Sequence, residues 1–324
     1  MSAQTPPQTT PNPTAAGAAT KRYVVGYDGT APSQSALTMA TAMARAFRAE
    51  LEIVLVLRED DPYQQVYPPV GNISPMVQAQ ARTWLQEAAD LVAAQTPEGQ
   101  QPVAARTHLW RASSVVTGLL EAVEQLDAAM IAISAGSGRG RLSVGPVADA
   151  VLHACPVPVA LAPRRYREQA VPDHLYAAVG TRPGAHQVIR EALEVAERTG
   201  LPLSVVTFLI DDDAAGDSGV VNTVRARVQA TVEKVAGQVA QVPIQVAAAK
   251  SLKKAVRAVD WQDGGVLLIG SSRLAQGRQL FLGTTAARLL RHLPIPMVVV
   301  PRPDPASQDP SSTDPGVSSG IVGE

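Results

Sequence analysis

Short apolar segments alternate with longer amphipathic segments along most of the chain. Leu51–Leu57 and Leu203–Ile210 are continuous apolar runs, which is typical of strands covered on both faces of a sheet. Arg22–Tyr27 and Leu175–Gly180 are also predicted to be strands, and each precedes a turn and a long helical pattern. The apolar faces of these two helices, recognised by a spacing of three or four residues, are Ala36, Met39, Ala40 and Met43, and Val188, Ala192, Val195 and Ala196.

Two later segments are versions of each other. Ala129–Pro163 and Gly265–Pro301 each begin with an apolar run, which is followed by a loop of Gly, Ser and Arg. The loop ends at a further glycine, Gly145 or Gly283. Each then continues through an amphipathic helix, a Pro-x-Pro sequence and a final apolar strand. A unit that repeats after about 140 residues indicates tandem domains rather than a short-period solenoid.

Strands and helices alternate in each half, beginning and ending with a strand and enclosing four helices. This order favours an α/β fold of the Rossmann-like kind, with a parallel sheet and helices on both of its faces. The predicted organisation is a disordered tail over residues 1–20, a first domain over 21–163, a linker over 164–171, a second domain over 172–301 and a disordered tail over 302–324.

Composition narrows the classes of function. The formal net charge of −1 provides no broad cationic field for nucleic acid or for an acidic membrane surface. No apolar run reaches the roughly 18–20 residues of a membrane span, and residues 1–20 lack the basic start of a secretory signal. The single cysteine, Cys155, is expected to be buried. We therefore expect a soluble, cytoplasmic protein.

Binding chemistry is expected at the carboxyl ends of the strands, where an open doubly wound sheet binds its ligands. Asp28 follows the first strand, and the loop Ser134–Gly145 connects the fourth strand to a helix. Glycines in such a loop let backbone N–H groups converge on an anion, and the helix N-terminus adds a favourable dipole. An acid after the first strand suits a ribose hydroxyl or a phosphate-bound metal ion. The pattern favours an adenine nucleotide, with a flexible surface loop as the alternative.

Other chemistry-bearing residues give weaker signals. The five histidines have no metal-ligand spacing with Cys or a carboxylate, so no metal site is predicted. No Ser–His–acid or Cys–His set predicts a catalytic nucleophile, although slow ATP hydrolysis stays open. Trp110–Arg111 is predicted to follow the third strand and to overhang the crevice, where Arg111 is either a phosphate contact or an ordinary surface residue.

These residues resemble the universal stress protein family. Domains of that family have an aspartate after strand one, as in VVGYDGT here, and a loop of the form G-x2-G-x9-G-[ST] after strand four. A helix and a strand opened by proline follow. The resemblance covers Lys21–Pro163 and Pro172–Pro301. It implies two tandem five-stranded parallel α/β sandwiches packed as an internal pseudo-dimer, with Val157–Ala162 beside Met297–Val300.

The resemblance also implies a set of nucleotide-binding residues, because some members of the family bind ATP whereas others bind none. In those that bind it, the aspartate lies near the adenosine, the glycine loop surrounds the phosphates and the Ser/Thr hydroxyl contacts a phosphate. Carried onto this chain, the candidates are Asp28, Gly136, Ser137, Gly138, Gly140, Gly145, Gly270, Ser271, Arg273, Gly283, Thr284 and Thr285.

The match to the binding pattern is incomplete in both halves. In the first half, Pro146 occupies the Ser/Thr position and removes a hydroxyl and an N–H together. In the second half, Gly283 and Thr284 match, but Arg273 replaces the second glycine, and GTRPGA over 180–185 contains no aspartate. Arg273 either contacts phosphate oxygens or fills the cavity in place of the ligand.

The sequence thus supports two main hypotheses. In the first, the protein is a stress-response module that binds ATP, with Mg²⁺, at one or both sites and passes that state to a protein partner. In the second, it is an interaction scaffold of the same family that binds no nucleotide. A dedicated adenylating or hydrolysing enzyme is the least supported hypothesis, and further homodimerisation stays open.

Overall fold

The computed structural model describes residues 20–59, 75–136, 144–163, 166, 171–180, 185–210, 218–236, 242–271 and 284–301. Both predicted tails, except Thr20, and most of the predicted linker lie outside the described residues. The first half contains β1 (Lys21–Gly26), α1 (Ala31–Phe47), β2 (Ala49–Arg58), α2 (Pro75–Ala94), β3 (Ala105–Ala112), α3 (Val115–Gln125), β4 (Met130–Ser134), α4 (Pro146–Ala154) and β5 (Val159–Ala162). The second half contains β6 (His174–Ala178), α5 (Ala185–Thr199), β7 (Leu203–Ile210), α6 (Ser218–Ala236), β8 (Ile244–Ala249), α7 (Leu252–Ala258), β9 (Gly265–Gly270), α8 (Thr284–Leu290) and β10 (Met297–Val300).

The strands form one continuous sheet. Its strand order is β3-β2-β1-β4-β5-β10-β9-β6-β7-β8, and all neighbours within a half are parallel. The halves meet where β5 pairs antiparallel with β10, in a register that places Leu161 opposite Met297 and Val159 opposite Val299. The predicted α/β class, the order of elements and the pairing of the last strands are confirmed.

Helices cover both faces of the sheet, so that two hydrophobic cores form. α1, α2, α5 and α6 pack on one face, whereas α3, α4, α7 and α8 pack on the other. Successive residues of a strand point to opposite faces, and accordingly Tyr23 and Val25 belong to the first core and Val24 to the second. This arrangement explains why the central strands are apolar without alternation.

The predicted helix faces agree with the burial of the helices. All four apolar positions predicted in α1 are fully buried. In α5, Val188 and Ala192 are buried, whereas Val195 and Ala196 are only partly buried against the same core. Cys155 is buried as expected, and burial raises the pKa of its thiol to about 11, which keeps it neutral.

The prediction that Trp110–Arg111 follows the third strand is wrong. Both residues lie within β3, which runs to Ala112 because its neighbour β2 continues to Arg58 and offers backbone partners over this length. Trp110 Nε1 donates a hydrogen bond to Glu121 Oε2 on α3 at 3.2 Å. The indole therefore packs beside α3 instead of overhanging the strand ends.

We expect the stability of the protein to fall when a side chain at the β5–β10 seam is shortened. Leu161 is fully buried at the seam, so Leu161→Ala should lower the free energy of unfolding by about 2–5 kcal/mol, measured by urea denaturation. Met76→Ala is the control, because Met76 is 79% exposed and its truncation should change stability by less than about 0.5 kcal/mol. Equal effects of the two variants would contradict the described packing.

Candidate functional site

A cavity of about 450 Å³ lies at the carboxyl ends of β1 and β4 in the first half. The turn after β1, the first turn of α4 and the inner faces of β2 and α3 form its walls. The lining residues are Gly26, Tyr27, Asp28, Thr30, Pro32, Ser33, Val54, Val56, Val115, Leu119, Ile133, Ser134, Gly136, Gly145, Pro146, Val147 and Ala148. The position agrees with the rule that open α/β sheets bind ligands outside the carboxyl ends of their strands.

One wall of this cavity is an apolar slot. Val54 and Val56 on β2, Leu119 on α3 and Ile133 on β4 line it. Gly26 keeps the slot open at the end of β1, since a Cβ there would lie 3.1 Å from Ile133 Cγ2. A flat apolar group, such as a nucleobase, fits a slot of this kind.

Asp28 stands at the rim and is held by the turn that starts α1. Its Oδ1 accepts hydrogen bonds from Thr30 N at 3.1 Å and from Thr30 Oγ1 at 2.6 Å. Thr30 is the N-cap of α1, and its Oγ1 accepts from Ser33 N at 3.5 Å. Within the described residues, Asp28 Oδ2 accepts no hydrogen bond, so one carboxylate oxygen is available to a ligand.

Sequence reasoning missed the residues that hold this carboxylate. Gly29 has a φ of +76°, and a Cβ on it would lie 2.8 Å from the indole of Trp84. The turn thus requires glycine because the backbone is left-handed here and because no room exists for a Cβ. The signal for it was present in the D-G-T-x-x-S spacing of Asp28–Ser33, in which Thr30 is a preferred helix cap.

Two glycines close the base of the loop that follows β4. Gly136 has a φ of +77°, and a Cβ on it would lie 2.8 Å from Gly145 Cα. Gly145 N donates to Ala135 O at 2.8 Å, which fastens the two ends of the loop together. Ser137, Gly138 and Gly140, which the sequence also singled out, lie outside the described residues.

The helix after this loop presents its N-terminus to the cavity. Gly145 is the N-cap of α4 and Pro146 is its first residue, a position where the missing N–H has no helical partner in any case. Val147 and Ala148 line the cavity, and the N–H groups of a first turn have no partner within the helix. An anion bound at this end of the cavity would therefore meet backbone donors and a favourable dipole.

In the second half, two candidate residues have structural roles at the end of β9. A Cβ on Gly270 would lie 2.6 Å from Val188 Cγ2, so this glycine allows α5 to approach the sheet. Ser271 is 6% exposed, and its N donates to Val300 O at 2.9 Å, which extends the pairing of β9 with β10. Neither observation assigns a ligand contact to these two residues.

The remaining candidates of the second half are described only in part. Thr284 and Thr285 begin α8, but their side chains lie outside the described residues, as do Arg273 and Gly283. The loop does connect β9 to α8, as its counterpart connects β4 to α4. The predicted topology of both loops is therefore confirmed.

Two classes of site find no support in the part of the chain that the structure describes. No three His, Cys, Asp or Glu side chains of these residues are grouped so that they could hold a metal ion. None of the described helices is long and apolar enough to cross a membrane.

Comparison with known proteins identifies the family. The model of the universal stress protein family matches residues 19–163 and again residues 173–301. The chain belongs to this family. A universal stress protein of Mycobacterium tuberculosis is 30% identical over 304 residues, which cover 86% of this chain and 99% of that protein.

One solved structure agrees with the fold over both halves of the chain. A universal stress protein from Archaeoglobus fulgidus matches with a TM-score of 0.63 at 17% identity, over 87% of this chain and 98% of its own. A universal stress protein in complex with cAMP matches 44% of this chain and 97% of its own, with a TM-score of 0.33 at 21% identity. The first match extends across both halves, as expected for two joined domains.

A pair of glycine substitutions tests the contact at the base of the loop. Gly136→Ala should lower the free energy of unfolding by about 1–2 kcal/mol for the left-handed backbone and by a further ~1–3 kcal/mol for the clash with Gly145. Gly99→Ala is the matched control, because Gly99 has a φ of +80° with no atom near its Cβ position. Urea denaturation of both variants measures the difference, and equal losses would contradict the close approach.

Proposed function

We propose that this universal stress protein is a regulatory module of the stress response that binds an adenine nucleotide, ATP with Mg²⁺, in the cavity of its first half. The observation that carries the proposal is the convergence of three features at one cavity of about 450 Å³. These are an apolar slot, a carboxylate at the rim, and a helix N-terminus behind a glycine-bounded loop. Each feature suits a different part of a nucleotide.

The first step of the argument concerns the base and the sugar. The slot formed by Val54, Val56 and Leu119 would take the adenine, because burial of a flat apolar surface there is favourable. Asp28 Oδ2 would accept a hydrogen bond from a ribose hydroxyl. Thr30 orients this carboxylate through Oδ1, so that the interaction needs no rearrangement of the turn.

The second step concerns the phosphates. The N–H groups of Val147 and Ala148 at the start of α4 would donate to phosphate oxygens, with the helix dipole favouring the negative charge. Because Gly136 and Gly145 have no side chains, the phosphates could approach the backbone here without a clash. The described residues provide no cluster of acidic metal ligands. We therefore expect phosphate oxygens and water, rather than a set of protein side chains, to coordinate Mg²⁺.

The site of the second half stays a prediction. Gly270, Ser271, Arg273, Gly283, Thr284 and Thr285 would form it around the loop between β9 and α8, without an aspartate after the first strand of that half. A single occupied site in the first half is therefore the simpler proposal. The nucleotide state would then be read by a protein partner.

A second candidate function is an interaction scaffold without nucleotide. Two observations favour it: Pro146 lacks the hydroxyl that the family pattern places there, and Asp28 already accepts two hydrogen bonds from Thr30. The first feature removes a phosphate contact, and the second leaves Asp28 only one oxygen for a ligand. Titration of the purified protein with ATP and Mg²⁺ separates the two functions, since a scaffold gives no binding heat.

Removal of the rim carboxylate should weaken nucleotide binding. Asp28→Ala deletes a hydrogen bond to a charged group, worth about 1.5–3 kcal/mol, so calorimetry should record a dissociation constant roughly 10- to 100-fold higher. Glu124→Gln is the control, because Glu124 is an exposed α3 residue outside the cavity lining. Unchanged affinity in Asp28→Ala would rule out the proposed ribose contact, and steady ATP turnover by the unmodified protein would point instead to an enzyme.

Restoring the missing hydroxyl should strengthen binding of the triphosphate. Pro146→Ser adds an O–H at the first turn of α4, and Pro146→Ala adds only the N–H. If phosphates lie at this helix, the Ser variant should bind ATP about tenfold more tightly than the Ala variant, by one charge-assisted hydrogen bond. Both variants should bind adenosine equally. Equal ATP affinities of the two variants would place the phosphates elsewhere.

A further inference from the structure

A second cavity, of about 200 Å³, lies between the two halves of the chain. It is on the sheet face that α1 and α5 cover, and it shares no lining residue with the Asp28 cavity. The first half contributes Tyr23, Phe47 and Met130, and the second half contributes Leu175 and Val298 together with one side of α5. Its interior is predominantly apolar.

Tyr23 carries a hydroxyl without a partner at this cavity. The residue is 4% exposed and lines the cavity, and its hydroxyl forms no hydrogen bond within the described residues. Burial raises the pKa of the phenol to about 12, so that the group is a neutral O–H. The hydroxyl is therefore available at the cavity wall as a hydrogen-bond donor to a polar atom of a ligand.

Two cations, one from each half, lie on the lining of the cavity. Lys21 begins β1 and Arg198 belongs to the last turn of α5. Burial and, secondly, the charge of Arg198 lower the pKa of Lys21. Neither side chain forms a salt bridge within the described residues. An anionic group of a ligand near Lys21 and Arg198 would be attracted by both charges, and Arg198 also acts on Glu191, whose pKa it lowers.

Two carboxylates on α5 line the same cavity. Glu191 and Glu194 are neighbours on one face of the helix. Burial first, and then the charge of Glu194, raise the pKa of Glu191, although Gln187 Nε2 donates to Glu191 Oε1 at 2.6 Å. In the part of the chain that the structure describes, neither carboxylate forms a salt bridge. Arg190 and Arg198 lower the pKa of Glu191, but burial and Glu194 outweigh them, so a cationic group beside the two carboxylates would be favourable.

We propose that this cavity binds a small zwitterion with an apolar side chain, an α-amino acid of the leucine or phenylalanine type. The carboxylate of the ligand would contact Lys21, Arg198 and the hydroxyl of Tyr23, and its ammonium group would contact Glu191 and Glu194. Its side chain would fill the apolar interior. The size is suitable, because an apolar cavity of about 150 Å³ already holds benzene.

Both charges of the ligand are needed to match this lining. An anion alone would be attracted by Lys21 and Arg198 but repelled by Glu191 and Glu194, and a cation alone would meet the reverse, so a zwitterion matches both pairs of charges. A ligand held here also touches both halves, so it would stabilise their pairing by preferential binding to the folded chain. The proposal is independent of nucleotide binding in the Asp28 cavity.

Calorimetric titration of the full chain with L-phenylalanine and L-leucine tests the proposal. The matched probes are 3-phenylpropanoate, which lacks the ammonium group, and 2-phenylethylamine, which lacks the carboxylate. We expect at least one amino acid to bind at least tenfold more tightly than either matched probe. Absence of amino-acid binding at millimolar concentration, or equal binding of a singly charged probe, would overturn the proposal.

Variants then assign the binding to this cavity. Tyr23→Phe should weaken amino-acid binding roughly three- to tenfold through the loss of one hydrogen bond, and Arg198→Gln should weaken it at least tenfold. Glu197→Gln, an exposed residue of α5 outside the lining, should have no effect. If Tyr23→Phe does not fold, Arg198→Gln and Glu191→Gln carry the test.

The same variants separate this proposal from nucleotide binding. ATP affinity should not change in Arg198→Gln, and amino-acid affinity should not change in Asp28→Ala. Loss of amino-acid binding in Glu197→Gln to the same extent as in Arg198→Gln would show that the cavity is not the site. Such a result would leave the nucleotide proposal untouched.

Discussion

The antiparallel pairing of β5 with β10 joins the sheets of the two domains into one continuous sheet. Each strand has only four residues, and all eight are buried. Without the partner strand, each five-stranded sheet would end in an apolar edge with unpaired backbone groups, which is a liability in water. The pairing satisfies those groups and continues both hydrophobic cores across the seam.

The direction of this pairing determines where ligands can bind. Because strands are parallel within a half and antiparallel at the seam, the carboxyl ends of the two sets of strands lie at opposite edges of the sheet. The cavity at Asp28 therefore belongs to the first half alone. At the same seam, the start of β1 comes close to the end of β10, and this brings Lys21 and Val300 to one cavity between the halves.

Much of the fold and part of the site were predictable because they depend on local sequence. Uninterrupted apolar runs, helical spacing and Pro-x-Pro gave the order of elements, and the glycine-bounded loop and Asp28 were placed at the correct strand ends. Trp110 was not, because the end of an edge strand depends on how far its neighbour continues, and β2 reaches Arg58. The capping network around Asp28 was likewise missed, although Thr30 and Ser33 are close to it in sequence.

Sequence by itself determined what each segment becomes, since burial patterns and turn residues act over a few positions. It also determined the family, because the motif residues recur in two copies. Only the tertiary structure decided which distant residues share a cavity: Val54 and Leu119 with Asp28 in one case, Tyr23 with Arg198 in the other. These pairs are brought together by packing across the sheet and across the β5–β10 seam, and no local pattern along the chain encodes such distances.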